Sequence, residues 1–177
     1  MNVAILGATG AVGREMMKIL AERSFPVEEL RLLASPRSAG QKLLWQGREL
    51  TVQPAEDSAF EGMDIVLGAA ENDIAKRFAP AIVKAGAVFV DNSSAFRMDP
   101  NVPLVIPEDA RRHKGIIANP NCTTIVSLVA INALNQDSPI QSIIASSYQA
   151  VSGAGAGGPR ELMEEVELLR EGKPVHP

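Results

Sequence analysis

The sequence predicts an α/β fold built on a doubly wound parallel sheet, from three observations. Short apolar runs alternate with helix-length segments along most of the chain, as expected of strands joined by crossovers. The first run leads directly into glycines spaced Gly7-x-x-Gly10-x-x-Gly13 and then into a helical pattern. Of the 177 residues, 46% are apolar but only 4% are aromatic, which suits a core of Val, Ile, Leu and Ala.

The elements follow in order. Residues 2–6 are an apolar strand, Gly7 to Gly13 a tight turn, and residues 14–22 a helix. Residues 30–34 form a second strand. Residues 43–45 and 49–52 flank Gln46-Gly47-Arg48 and read as a hairpin. Residues 64–69 are a third core strand. Residues 73–84 have helical spacing, and Gly86 stops them. Buried strands follow at residues 87–90 and 116–118, then an apolar helix over residues 123–134. Residues 140–151 read as a long strand and residues 161–170 as an amphipathic helix. The polar, proline-terminated Asn135-Gln136-Asp137-Ser138-Pro139 marks a boundary. The sequence therefore divides into a first domain over residues 1–134 and the start of a second over residues 135–177. One strand and one helix cannot close a core, so this second domain is expected to be incomplete.

Composition excludes several classes. The net charge is −4, without a Lys/Arg stripe or an aromatic platform, which argues against nucleic acid. The apolar stretches are strand-length, well short of the ~20 residues that span a bilayer. Met1 leads straight into a strand-like run with no leader pattern, so a cytoplasmic protein is expected. No metal-ligand cluster stands out. The single cysteine, Cys122, precludes an internal disulfide and is either a small buried residue or a reactive thiol.

The strand–glycine–helix arrangement is that of a Rossmann-like dinucleotide site. Glycines allow the tight turn and the close approach of a pyrophosphate, and the helix N-terminus offers unpaired N–H groups. Gly7, Thr9, Gly10, Ala11, Val12 and Gly13 are the candidates for this contact. The following strand ends in Ala34-Ser35-Pro36-Arg37-Ser38. It lacks the carboxylate that commonly holds the ribose 2′-hydroxyl of NAD. Arg37 can fork onto a phosphate, and Ser35 and Ser38 can donate to one, which favours the 2′-phosphate of NADP. The alternative is a solvated loop arginine.

Cys122 sits in Asn119-Pro120-Asn121-Cys122-Thr123-Thr124, just ahead of the apolar helix. A thiol at a helix N-terminus meets the positive end of the dipole, which favours its nucleophilic thiolate form. Asn121 is placed to cap that helix.

Taken together, these motifs resemble those of the aspartate-semialdehyde dehydrogenase family. The resemblance runs through Gly7 to Gly13, Ser35-Pro36-Arg37-Ser38-Ala39-Gly40, Asp91-Asn92-Ser93-Ser94-Ala95-Phe96-Arg97, Asn119 to Thr124, and Ser147-Tyr148-Gln149-Ala150-Val151-Ser152-Gly153. The blocks occur in family order over nearly the whole chain. The resemblance implies an NADP-dependent enzyme that interconverts L-aspartyl 4-phosphate and L-aspartate 4-semialdehyde through a cysteine thioester, on the route to Lys, Met and Thr. It implies that Cys122 is the nucleophile. Arg97 would bind the substrate phosphate, with a surface loop arginine as the alternative. Gln149 would orient the substrate, and Asn121 would help hold its carbonyl end or shape the loop. Thr9, Gly10, Ala11 and Val12 would line the cofactor phosphates, and Ser152 and Gly153 would lie near the nicotinamide. The run Gly153-Ala154-Gly155-Ala156-Gly157-Gly158 is either backbone passing close to the cofactor or a flexible linker. The second domain would be the start of an α+β catalytic and dimerisation domain, and the full-length protein a homodimer.

The chain departs from the family in three ways. Family members are much longer and carry their acid–base histidine downstream. Neither His113, in a charged run, nor His176 lies in a matching motif. The stretch Ala69-Ala70-Glu71-Asn72-Asp73 is not the small, serine- and glycine-rich version expected. The 177-residue chain alone is accordingly expected to be inactive, because acid–base catalysis typically contributes ~10²–10⁴-fold. Two alternatives remain. One is an N-acetyl-gamma-glutamyl-phosphate reductase, against which Asn119-Pro120-Asn121 argues. The other is a non-catalytic NADP-binding fragment. A short-chain reductase would need a lysine four residues after its tyrosine, and Tyr148 has Ser152 there.

Overall fold

The computed structural model describes residues 1–105, 112–155 and 157–175. Residues 108–111 of the charged run, Ala156 of the glycine run and His176 lie outside the described residues. The chain divides into two compact units, Met1–Pro139 and Ile140–Pro177.

In the first unit, strands β1 (Asn2–Leu6), β2 (Glu29–Ala34), β5 (Gln53–Pro54), β6 (Ile65–Gly68), β7 (Val88–Asp91) and β8 (Ile116–Ala118) form one sheet. Its spatial order is β5-β2-β1-β6-β7-β8. Every pairing in it is parallel. Helix α1 (Ala11–Glu22) joins β1 to β2, and α2 (Asn72–Lys84) joins β6 to β7. Strands β3 (Lys42–Trp45) and β4 (Arg48–Thr51) make the expected hairpin. Positive φ at Gln46 and Gly47 (47° and 77°) gives its two-residue turn.

The sheet is buried on both faces, as parallel sheets require. Side chains alternate along β1, and each parity enters a different core. Ala4 and Leu6 pack with Phe60, Val66, Phe78, Ile82 and Phe89 on the α2 side. Val3 and Ile5 pack with Met17, Leu32, Leu43 and Val52 on the α1 side. Trp45 fastens the hairpin to α1 by donating from Nε1 to the Met17 carbonyl at 2.9 Å. Gly86, at φ +85°, ends α2 where a side chain would be strained.

The strand order reverses at β1. From there the chain builds outward through β2 and β5, then crosses to β6 and proceeds to β7 and β8. Open α/β sheets bind ligands at such a switch point, outside the carboxyl ends of the strands.

Helix α3 (Cys122–Asp137) begins as expected but has no buried side chain, and its apolar residues surround it rather than forming one stripe. Val126 is 77% exposed. In the second unit, α4 (Gly157–Arg170) starts four residues earlier than the spacing predicted. It packs against a helical turn at Val151–Ala154, where a Cβ on Gly158 would come within 2.3 Å of the Val151 carbonyl. The strand expected over residues 140–151 does not form. Ile144 and Tyr148 are fully exposed, and no ladder partner exists for this segment among the described residues. Strand-prone composition marks a segment that can pair, but the pairing needs a neighbouring edge.

Candidate functional site

The glycine turn lies at the carboxyl end of β1, with Leu33 of β2 beside it. Gly7 and Ala8 both donate to the Leu33 carbonyl, at 2.8 and 3.1 Å. The three glycines answer different demands. Gly7 has φ +92°, and a Cβ there would sit 2.6 Å from the Ala69 carbonyl oxygen of the loop after β6. A Cβ on Gly13 would sit 2.4 Å from the Gly7 carbonyl oxygen, so its absence lets α1 rest on the turn. Gly10 is under neither constraint. Its backbone is ordinary extended chain (φ −73°, ψ 168°). A Cβ there would meet only the Gly7 carbonyl oxygen, at 3.4 Å, an ordinary contact. Among the described residues nothing requires position 10 to be glycine, and Gly10 is exposed at the head of α1.

That head is uncapped by any side chain and has no acidic residue in its first turn. The N–H groups of Ala11, Val12 and Gly13 lack intrahelical acceptors, as the first N–H groups of any helix do. Ala11 and Val12 are exposed there and Thr9 is half-buried. Next to this turn, β2 ends in a single helical turn at Pro36–Ser38, closed by the Ser38 amide donating to the Ser35 carbonyl at 2.9 Å. Ser35 and Arg37 are exposed and Ser38 half-buried. Arg37 has no side-chain partner among the described residues, so its five donors face solvent at the same edge of the sheet.

The thiol approaches from the carboxyl end of β8. Asn121 caps α3, its side-chain oxygen accepting from the Thr123 amide at 3.0 Å. Cys122, the first helical residue, is exposed, and its Sγ lies 3.9 Å from the Asn121 side-chain oxygen. Arg97 is half-buried beside this loop. Its Nε donates to the Asn119 carbonyl and one terminal nitrogen donates to the Asn92 carbonyl, each at 2.8 Å. Its other terminal nitrogen has no partner among the described residues.

Several residues here were given no role by the sequence. Asp91, at the end of β7, is fully buried, and its carboxylate accepts from the Ser93 amide (3.1 Å) and hydroxyl (2.6 Å). The Ser93 hydroxyl in turn accepts from the Ala95 amide at 3.1 Å. The Asn119 side-chain amide donates to the Asn92 side-chain oxygen. Asn72, in the unexpected stretch after β6, donates to the Ser94 hydroxyl and accepts from the Ser94 amide, both at 2.9 Å. The available signal was a polar residue at the end of a buried strand, repeated at Asp91-Asn92 and Asn119.

The first unit thus gathers Gly7 to Gly13, Ser35 to Ser38, Arg97, Asn121 and Cys122 at the carboxyl edge of one sheet. Gln149, Ser152 and Gly153 belong to the second unit, where Gly153 abuts Gln149. A Cβ on Gly153 would lie 2.1 Å from the Gln149 Nε2. Among the described residues no His/Cys/Asp/Glu group suits a metal ion. Nor is any of their helices long and apolar enough to cross a membrane.

Comparisons with known proteins match this fold to a family. The semialdehyde dehydrogenase NAD binding domain matches residues 2–115. An aspartate-semialdehyde dehydrogenase of Synechocystis sp. is 56% identical over 176 residues, covering 97% of this chain and 52% of that protein. Aspartate semialdehyde dehydrogenase II from Vibrio cholerae, solved in complex with ASA, superposes with a TM-score of 0.88 at 42% identity, over 99% of this chain and 54% of that one. The Candida albicans enzyme, solved with NADP, gives 0.64 at 26% identity over 79% of this chain and 48% of its own. The chain spans about half the length of the relatives it matches.

Proposed function

We propose, starting from the chain's membership of the semialdehyde dehydrogenase family, that it is the dinucleotide-binding half of an NADP-dependent aspartate-semialdehyde dehydrogenase and carries its nucleophile. The observation that carries this reading is Gly10. Neither backbone nor packing requires its missing side chain, which leaves the α1 N-terminus open to close approach by a ligand group. A pyrophosphate fits, since a cradle without a side chain faces the N–H groups of Ala11, Val12 and Gly13. Thr9 shapes the same wall. Ser35, Arg37 and Ser38 fit the 2′-phosphate, with Arg37 supplying a planar fork and no carboxylate opposing it. NADP, when bound, accepts or returns the hydride.

The chain's own residues handle the acyl group. In the oxidative direction, the Cys122 thiolate attacks the aldehyde carbon, forming a C–S bond as the C=O π electrons move onto oxygen, which gives a thiohemiacetal alkoxide. The C=O bond re-forms as the carbon-bound hydrogen leaves as hydride, and a thioester remains on Cys122. Inorganic phosphate then attacks the thioester carbon, the C–S bond breaks, and the thiolate leaves with its electron pair. Biosynthesis runs the sequence in reverse, from aspartyl phosphate. Arg97 binds the phosphate through the guanidinium edge that the scaffold leaves unused. Asn121 orients the substrate; in the whole protein Gln149 would do the same, and Ser152 and Gly153 would border the nicotinamide. This domain would span residues 1–134, and residues 135–177 would begin the catalytic and dimerisation domain of a cytoplasmic homodimer.

The test is calorimetric titration of the chain with NADP and with NAD. Binding of NADP in preference to NAD, lost in Arg37→Ala, supports the reading. Binding of neither by folded protein refutes it.

A further inference from the structure

Helix α3 presents an arrangement that the reaction scheme leaves unexplained. It carries Cys122 at its first position, yet none of its side chains is buried. Along it only Thr123, Ile125, Leu128 and Ile131 are half-buried. The chain that leads into it is fixed by hydrogen bonds at Asn119.

Asn119 is held at three points. Its amide donates to the Asp91 carbonyl at 2.8 Å. Its carbonyl accepts from Arg97 Nε at 2.8 Å. Its side-chain amide donates to the Asn92 side-chain oxygen. The Asp91 end is rigid in its own right, because the carboxylate is buried and both of its oxygens accept from Ser93. Arg97 also donates to the Asn92 carbonyl at 2.8 Å, so Asn92, Arg97 and Asn119 form a closed ring of hydrogen bonds. From Asn119, Pro120 restricts the backbone and Asn121 caps α3, which leaves little freedom between the ring and the thiol.

We infer that Asn119, through Asn92, is a positioning residue that registers the Cys122 thiol against the Arg97 guanidinium. The inference rests on the proposed roles of Cys122 and Arg97 and extends them. The same arginine that would hold an anionic group is bonded to a carbonyl three residues ahead of the nucleophile. Anion and thiolate are thereby fixed relative to one another, and the substrate class favoured is one whose electrophilic carbon lies a short reach from a negative charge. Misplacement of a nucleophile by about 1 Å is enough to lower a rate by up to ~10²-fold.

Because Cys122 is the only cysteine, alkylation reports on it alone. The experiment compares iodoacetate, which is anionic, with iodoacetamide, which is neutral, on the 177-residue chain and on Asn119→Leu, Asn92→Leu, the double variant and Arg97→Ala. Thermal unfolding is followed on every protein. The expected result is an iodoacetate-to-iodoacetamide rate ratio above that of an unstructured peptide thiol. Each single asparagine variant lowers the ratio by roughly two- to fivefold, the scale of one screened charge interaction. The double variant falls no further than the singles, and Arg97→Ala falls as far. A merely structural role would lower the unfolding temperature and leave the ratio intact, which overturns the inference. A raised ratio that persists in the folded asparagine variants but vanishes in Arg97→Ala overturns the positioning role alone. Wild-type protein with the ratio of a free peptide thiol overturns the inference together with the anion-binding role of Arg97. Should Asn119→Leu fail to fold, Asn92→Leu, which leaves both main-chain bonds of Asn119 in place, decides the question.

Discussion

The substitution Gly10→Ala separates a glycine kept for folding from one kept for a ligand. In the folded chain the new methyl group meets a single atom, the Gly7 carbonyl oxygen, at 3.4 Å, and the backbone there suits any residue. Two small opposing effects remain. Alanine is a poorer N-cap than glycine by some tenths to about 1 kcal/mol. It also removes unfolded-state entropy, which stabilises by about 0.4–1 kcal/mol. The net change in stability is within about 1 kcal/mol. Binding behaves otherwise, because at the proposed cofactor site the methyl group would crowd a pyrophosphate seated on the head of α1. Loss of one charge-assisted hydrogen bond to the pyrophosphate weakens binding by about 1.5–3 kcal/mol, which is roughly 10–150-fold in Kd. Gly7→Ala and Gly13→Ala are the controls. Each drives a Cβ into backbone, at 2.6 and 2.4 Å, and Gly7 also has φ +92°. Both should destabilise by about 3 kcal/mol or more, through strain and overpacking. Thermal unfolding and calorimetric titration with NADP measure the two quantities separately. A folded Gly10→Ala protein that binds NADP as tightly as the parent would show that nothing needs to approach this turn, and the cofactor assignment would lose its main support.

Four further outcomes are expected. Arg37→Ala should weaken NADP binding by about 10-fold or more, the scale of one charge-assisted phosphate contact, and leave NAD binding nearly unchanged in the same calorimetric titration. Asn121→Ala should destabilise the start of α3 by about 1 kcal/mol, seen as faster amide exchange at Thr123, whose N–H the Asn121 side chain accepts. Asp91→Ala should destabilise by about 2–4 kcal/mol, because it strands the Ser93 donors beside a buried void; chemical denaturation measures this. Trp45→Phe should cost about 1 kcal/mol through the lost bond to the Met17 carbonyl, read as a lower denaturation midpoint.

The parts of the fold that were legible in the sequence are those whose partners are implied by the pattern itself. A strand buried on both faces, such as β1, is an unbroken apolar run because parallel sheets take helices on both sides. The glycine turn was legible because its spacing reflects backbone geometry. The ring around Asn119 was not, because Asn92, Arg97 and Asn119 are neighbours only once β7 and β8 pair. Asn72 looked like a departure from pattern, yet its side chain braces Ser94 across the rim. Residues 140–151 failed for the opposite reason. Their β-branched and aromatic residues favour a strand, but they say nothing of whether a partner exists, and among the described residues the segment has no ladder partner.

The shared acceptor at Leu33 has a consequence for how such a site can change. The amides of Gly7 and Ala8 hang from one carbonyl of β2, two residues before Ser35. The anchor thus lies upstream of the segment that would discriminate between nucleotides. Residues 35–40 can be exchanged, lengthened or given a carboxylate while the turn at Gly7 keeps its support. At the proposed site, selectivity and grip would be separable modules on this strand, so that a lineage or an engineer could revise the first without rebuilding the second.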